Sequence, residues 1–296
     1  MGKKKTVGLV GVGRMGRCML ERLCKAGYDV VAYDPFPETW PYIDEQGARR
    51  MQSHGELARN ASLIVMSLPA SKHVLEAVHG LEDSVGPEHI IVDTSTVDPG
   101  TAREAAALVG KNGARFVDAP VLGRPGTVGL WLLPAGGDRE AIDIARPVLE
   151  VFAKSVVHVG DSGTGYAFKL LNQLMFSVIN GISAEAMAIA DAMGVDKKTF
   201  YDAVTNSGAA TVSPLFRDVA RRIVDGKFDD PTFTLELLCK DAGLAIQMAK
   251  NAGFSPLITG FVQHFNEEAR DGGRGKEDTS SLYKSFREYY ATHRNS

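Results

Sequence analysis

The chain is poor in cysteine, with 3 among 296 residues, and in aromatic side chains, at 8%. Cys18, Cys24 and Cys239 have no C-x-x-C spacing, and an odd count leaves at least one unpaired. That excludes a disulfide framework and suits a reduced, cytoplasmic chain whose thiols act as apolar filler. Charge of one sign is also missing: 33 basic against 36 acidic residues leave a net charge of −3, which argues against a nucleic-acid partner. The single basic cluster, Lys3-Lys4-Lys5, runs straight into a strand-like stretch, without the apolar segment and small-residue site of a secretion signal. No uninterrupted apolar run approaches the roughly 18 residues of a membrane span, so no membrane partner is expected. The seven histidines offer neither metal-ligand nor triad spacing. His73 and His79 face different ways on a helix, and His54, His89 and His158 read as edge or surface residues. With no G-x-S-x-G present, a serine nucleophile is not expected either. What the chain does have is 44% apolar residues and length for two ordinary domains.

The most informative stretch is near the start. Val7-Gly8-Leu9-Val10 leads into Gly11-Val12-Gly13-Arg14-Met15-Gly16, and a second apolar run, Val30-Val31-Ala32-Tyr33, ends at Asp34. Gly11 permits a tight turn out of a strand, Gly13 lets backbone approach a pyrophosphate, and Gly16 lets a helix lie close to the sheet. The positive end of that helix favours the phosphates. Asp34, at the end of the second strand, suits a ribose diol and repels a 2′-phosphate, so NAD is favoured over NADP. Arg14 at the same turn tempers that preference.

Up to about residue 160 short apolar runs alternate with amphipathic stretches. Strands are expected at 5–10, 28–33, 63–67, 89–93, 115–118, 130–135 and 155–159. Helices are expected at 14–26, 53–60, 71–79, 99–112 and 138–153. This alternation implies a Rossmann-type α/β domain, a mostly parallel doubly wound sheet, over residues 1–162. After Gly160-Asp161-Ser162-Gly163-Thr164-Gly165 the β-type runs stop, and an all-α domain is expected over 163–296. Residues 165–193 carry Phe168, Leu171, Met175, Val178 and Ile182 at helical spacing, with Leu170, Leu174 and Ile179 besides. The segment reads as a long, buried connecting helix of about 43 Å. Further helices are expected at 197–206, 214–225, 234–252, 256–272 and 279–290, with Gly272-Gly273-Arg274-Gly275 as a mobile turn. The apolar helices suggest at least a homodimer, or a homotetramer.

Two lysines break apolar helices. Lys169, Asn172 and Gln173 share one helix face and present an ammonium and two amides together; the plainer reading is a lysine reaching solvent at a domain seam. Lys240 and Asp241 interrupt a second apolar run. Adjacent residues point about 100° apart on a helix, so this pair is not expected to bond to itself, and an ion pair to another helix is the plain alternative. Ligands of open α/β sheets collect beyond the carboxyl ends of strands. Three loops lie there: Ser67-Leu68-Pro69, then Asp93 to Gly100 with Thr96 or Asp98 as helix cap, then Asp118 to Gly126. Arg124 in the third is a cation able to fork onto a carboxylate, sulfonate or phosphate, or simply a solvated loop arginine.

Taken together these motifs resemble the β-hydroxyacid dehydrogenase family, of the 3-hydroxyisobutyrate dehydrogenase type, from about residue 6 to 288. The matching stretches are Gly8-Leu-Val-Gly11-Val-Gly13-Arg-Met15-Gly16, Asp93-Thr-Ser95-Thr96-Val-Asp-Pro99, Asp118-Ala-Pro120-Val121-Leu122-Gly123-Arg124, Gly163-Thr-Gly165-Tyr-Ala-Phe-Lys169-Leu-Leu-Asn172-Gln173, and Lys240-Asp241. The resemblance implies that Lys169 is the acid/base, that Asn172 helps hold substrate, that Lys240 lies by the nicotinamide, and that Leu68, Pro69 and Thr96 line the cofactor. Two positions depart from the family pattern. Where the substrate loop usually reads Val-Ser-Gly-Gly, this chain has Val121-Leu122-Gly123-Arg124, and the usual Asn-Asn pair is Asn172-Gln173. Sulfolactaldehyde reductases of the family also carry an arginine in this loop, one position earlier. The expected substrate is therefore a small hydroxy acid or semialdehyde with an unusual anionic group. An imine reductase of the same fold is an alternative that lacks the lysine; a non-catalytic NAD-binding module is another.

Overall fold

The computed structural model describes residues 6–209 and 211–293; the lysine cluster at 3–5 lies outside them. The chain divides into two compact units, one ending at Lys169 and the other beginning at Leu170.

The first unit is built on an eight-stranded sheet. Its strands are β1 (Thr6–Val10), β2 (Asp29–Tyr33), β3 (Arg49–Arg50), β4 (Leu63–Met66), β5 (Ile90–Asp93), β6 (Arg115–Asp118), β7 (Trp131–Gly137) and β8 (Ala153–Gly160). They lie in the order β3-β2-β1-β4-β5-β6-β7-β8. Every neighbouring pair is parallel except β6 with β7. Six helices accompany them: α1 (Arg14–Lys25), α2 (Trp40–Glu45), α3 (His54–Asn60), α4 (Ser71–Glu82), α5 (Pro99–Gly110) and α6 (Arg139–Leu149). Buried parallel strands read as continuous apolar runs because both faces are covered. One face packs Val7, Leu9, Val65 and Val92 with Met19, Leu23 and Ile142 of α1 and α6; the other packs Val10, Ile64, Met66 and Ile91 with Leu57, Val74 and Ala102 of α3, α4 and α5.

Each strand expected from sequence is present. The short α2 and the two-residue β3 were not read, being too brief for a periodic stripe; α2 buries Ile43 as its only core residue. The helix expected over 138–153 stops at Leu149, because Ala153 already pairs with Trp131 in the sheet. Asp98, rather than Thr96, caps α5, its carboxylate accepting from Thr101 N at 3.2 Å. His89 is not a surface residue: it is buried, its ring nitrogens engaged by Gly86 N at 3.0 Å and Ala58 O at 3.1 Å.

The helix α7 (Thr164–Ala192) crosses the boundary between the units. The second unit adds α8 (Lys197–Asn206), α9 (Pro214–Asp225), α10 (Leu235–Asn251), α11 (Leu257–Ala269) and α12 (Leu282–His293). The mobile turn expected at Gly272 to Gly275 overlaps a π-type turn over Arg270–Arg274, with Gly273 at φ +95°. It is tied down where Glu236 N donates to Gly275 O at 2.9 Å.

The expectation that α7 is buried needs correction. By length and hydropathy this helix is long and apolar enough to cross a membrane, and half of its most apolar window is buried inside the protein. Its stripe of apolar residues faces outward, with Leu171 55% exposed, Met175 60% and Ile182 56%. The inward face runs through Gln173, Ser177, Asn180 and Ala184. Its polar members bond to Asp241 Oδ2 at 2.7 Å, Asn266 Nδ2 at 3.1 Å and Thr279 O at 3.1 Å. Helical periodicity identifies residues that share a face; it does not say which face turns inward when the inner one is polar and small.

Candidate active site

The glycine turn is assembled as its spacing requires. Gly11 has φ +90°, and a Cβ there would stand 2.3 Å from Ser67 O; one on Gly16 would stand 2.0 Å from Gly11 O. Gly13 is open, with nothing within 4 Å of a Cβ position. It also heads α1, where no side chain caps the first turn and no acid occupies it. Val12 is buried, Arg14 is exposed, and Met15 packs against the core. Asp34 follows β2, is 8% exposed, and accepts from Val12 N at 2.6 Å and Phe36 N at 3.0 Å. Leu68 N donates to Ser95 Oγ at 2.8 Å, which ties the Ser67–Pro69 loop to the loop that carries Thr96. The turn, the acid and both loops thus gather at the carboxyl ends of β1, β2, β4 and β5. An uncapped helix start behind a Cβ-free cradle fits a dinucleotide pyrophosphate.

The loop after β6 is braced from β7. Leu122 and Leu132 exchange backbone hydrogen bonds at 2.9 and 3.2 Å, and Trp131 Nε1 donates to Arg124 O at 2.7 Å. Gly123 leaves room for that indole, since a Cβ would lie 2.1 Å from Trp131 Cδ1. Arg124 is half-buried and extended. The next residues lie against α1, where Arg22 Nη2 donates to Val128 O at 2.9 Å.

Two buried acids sit side by side at the ends of β5 and β6, Asp93 paired in register with Asp118. Asp118 accepts from Gly163 N at 2.8 Å and Tyr166 N at 3.0 Å, so it caps the start of α7. Asp93 accepts from Ser95 Oγ at 2.7 Å and from the Tyr166 hydroxyl. Burial drives both carboxyls upward against these hydrogen bonds, Asp93 to about 7 and Asp118 to about 6. Burial and the neighbouring Asp93 raise the Tyr166 phenol well above its ordinary value. One turn further along α7 stands Lys169, 9% exposed.

In the second unit the structure links residues that sequence treated apart. Asn172 Nδ2 donates to Gln173 Oε1 at 3.2 Å, and Gln173 Nε2 donates to Asp241 Oδ2 at 2.7 Å. Lys240 Nζ reaches Asp241 Oδ1 at 3.0 Å, contrary to the expectation that these neighbours cannot pair. The four-carbon lysine stem is long enough to swing the ammonium across 100° of helix. Sequence reasoning did not give Asp93, Asp118 and Tyr166 roles of their own. The signal was present: two aspartates each ending a strand, and a tyrosine one turn before the lysine.

Comparisons with known proteins agree with this geometry. A family model described as the NAD binding domain of 6-phosphogluconate dehydrogenase matches residues 6–160, and one described as NAD-binding of NADP-dependent 3-hydroxyisobutyrate dehydrogenase matches 163–286. A probable mitochondrial 3-hydroxyisobutyrate dehydrogenase of Dictyostelium discoideum is 32% identical, over 94% of this chain and 90% of the relative. The solved Mycobacterium tuberculosis 3-hydroxyisobutyrate dehydrogenase with L-serine superposes at TM-score 0.86 and 26% identity, over 96% of this chain and 100% of that one. Psf3 in complex with NADP+ and 2-OPP superposes at TM-score 0.86 and 25% identity, over 94% and 99%.

Proposed function

The chain belongs to the β-hydroxyacid dehydrogenase family of NAD(P)-dependent enzymes acting on CH–OH groups, and from that premise we propose that it interconverts a small, unusually anionic β-hydroxy acid and its semialdehyde, with Lys169 as general acid/base. The nicotinamide coenzyme, when bound, supplies or takes up the hydride. NAD is read as preferred to NADP, because the carboxylate of Asp34 at the end of β2 suits a ribose diol and would repel a 2′-phosphate. Gly11 to Gly16 receive the pyrophosphate; Ser67, Leu68, Pro69, Thr96 and Lys240 complete the coenzyme's surroundings. Leu122, Gly123, Arg124, Asn172 and Gln173 hold the substrate, with Arg124 on its anionic group. Residues 1–162 form the dinucleotide half and 163–296 the helical half.

One observation carries this reading. Lys169 is buried on a helix whose first turn is capped by Asp118, and Asp118 ends a strand of the same sheet that bears the glycine turn. Ligands of such sheets lie beyond those strand ends, which supports the reading of this amine as the donor of a proton to a forming alkoxide. An ordinary lysine, with pKa about 10.4, does this readily at neutral pH; oxidation needs the amine neutral first. Lys169→Ala should lose about 10²–10⁴-fold in turnover while still binding NAD; near-normal turnover would reject the assignment. A panel of carboxylate, dicarboxylate, sulfonate and phosphonate semialdehydes, assayed with NADH and repeated with Arg124→Ala, tests the anion role; an unchanged profile rejects it.

The outward apolar stripe of α7, together with Phe254, Leu257, Ile258 and Phe261 exposed on and before α11, supports a homodimer or homotetramer. Light scattering that gives a monomer would overturn it. The three thiols, none bonded to another, suit the reducing cytoplasm proposed as its compartment.

A further inference from the structure

We propose that Tyr166 and Asp93 are positioning residues for Lys169: their buried hydrogen bond sets how the first turn of α7 lies on the carboxyl edge of the sheet, and it holds best while Asp93 is charged. The inference rests on the reading of Lys169 as acid/base. Asp93 and Asp118 are opposite neighbours on adjacent parallel strands, and residues in register across such a pair point to the same face. Asp118 takes the backbone N–H of Tyr166, and Asp93 takes its hydroxyl. One residue is thereby gripped twice, by two strands. A cap alone fixes the height of a helix end and leaves it free to roll; a second fixed point on the side chain stops the roll. Lys169 is three residues on, on the same face as Tyr166, so its direction follows the second contact. The Tyr166 ring is fully buried against the sheet face packed by Val10, Ile64 and Ile91, which makes the lever rigid.

The groups around Asp93 come from several elements. Ser95 donates from its own loop, at 2.7 Å through Oγ and 3.3 Å through N. Asp118 faces it from β6, Tyr166 from α7, and Asp98 acts on the phenol from the head of α5. Opposite it on β4 stands Met66, which does not titrate. From α5, an Arg103 guanidinium nitrogen lies 3.1 Å from where a Gly163 Cβ would be. A hydrogen bond to an ionised acceptor is roughly twice as strong as one between neutral groups. With the Asp93 carboxyl pushed up to about 7 by burial, the bond changes strength across the neutral range.

The test compares wild type, Tyr166→Phe, Asp93→Asn and Ser95→Ala as full-length proteins. Carbon-13 carboxyl NMR should show one aspartate titrating near pH 7 that is lost in Asp93→Asn. In Tyr166→Phe it should titrate on the order of one unit higher, since a donor to the charged form is gone. Backbone amides 164–169 should exchange roughly ten-fold faster in Tyr166→Phe. With NAD and 3-hydroxyisobutyrate as probes, kcat should fall about 10–100-fold while KM and coenzyme affinity hold, as for a misplaced catalytic group. Ser95→Ala should shift the same carboxyl without speeding exchange at 164–169. Unchanged exchange and titration in Tyr166→Phe would overturn the proposal, and so would equal loosening in Ser95→Ala. If instead Lys169→Ala keeps its turnover, the acid/base reading falls, while exchange and titration still decide whether the latch exists.

Discussion

Both units bury carboxylates, and Asp93 with Asp118 in the first and Asp241 in the second are satisfied by opposite means. Asp278 of the second unit follows the first pattern, accepting from Thr232 N at 3.0 Å and Ser280 N at 3.1 Å. In the first, Asp93 and Asp118 are held by neutral donors: the N–H groups of Gly163 and Tyr166 and the hydroxyls of Ser95 and Tyr166. In the second, Asp241 takes the Lys240 ammonium at 3.0 Å and the Gln173 amide at 2.7 Å. An acid bound to backbone fixes where a helix begins. An acid bound to side chains fixes where those side chains point. The first kind therefore belongs to the fold and the second to the arrangement the fold carries.

The sharpest way to break this contrast is Asp118→Ala. It strips the acceptor from two buried N–H groups at once, and each orphaned buried donor costs about 1–3 kcal/mol. A loss on the order of 3 kcal/mol in urea unfolding is expected; a loss below about 1 kcal/mol would mean water or a shifted helix end replaces the carboxylate. Asp241→Asn should behave differently. The amide oxygen still accepts from Gln173, and Lys240, about a third exposed, keeps access to water. Stability should change by no more than about 1 kcal/mol, while NAD-linked turnover drops roughly ten-fold as the side chains lose their alignment. Equal stability losses in the two variants would erase the distinction.

A gentler probe is pH. Asp93 and Asp118 are raised from 3.8 to about 7 and about 6, so between those limits the folded chain binds more protons than the unfolded one. Stability from this pair is therefore fully present below about pH 4, falls as pH rises, and levels off above pH 7. The hold of Tyr166 on Asp93 runs the other way, because a carboxylate is the better acceptor. Melting temperature should thus decline between pH 5 and 8 while exchange protection of residues 164–169 improves. Asp93→Asn should abolish the trend in protection and leave only the part of the decline due to Asp118, complete by about pH 6; parallel movement of the two in wild type would sink the account.

Much of this was legible in the residues. The turn Gly11 to Gly16 and the acid at Asp34 are local: each glycine answers a steric demand from a neighbour fixed by the strand–turn–helix pattern, so spacing suffices to read them. The buried strands announce themselves as apolar runs for the same reason. What was not legible depends on distant partners. Nothing local marks Gln173, Ser177 and Asn180 as the inner face of α7, because their hydrogen-bond partners on α10, α11 and beyond are 68 to 99 residues away. Lys240 and Asp241 pair through a flexible stem, which helical angles do not describe. The partner of the Tyr166 hydroxyl, Asp93, lies 73 residues earlier, beyond the reach of any local pattern.

The loop that carries Arg124 lies between the two patterns, and offers the smallest and most selective test. It is backbone-braced like the first kind, through the Leu122–Leu132 bonds, and it carries the side chain proposed to hold the substrate's anion. Trp131→Phe keeps a buried ring and deletes the Nε1–H that reaches Arg124 O. That carbonyl still accepts from Thr127 N at 2.9 Å and Thr127 Oγ1 at 3.0 Å, so no polar atom is orphaned. The cost in stability should be about 0.5–1 kcal/mol, the net worth of one hydrogen bond. If the brace exists to aim the guanidinium, KM for the best anionic substrate should rise about three- to five-fold, which corresponds to a similarly small energy, with kcat unmoved. A fall in kcat at constant KM would instead tie Trp131 to the chemical step, and an unaltered KM would leave the brace a feature of the fold alone.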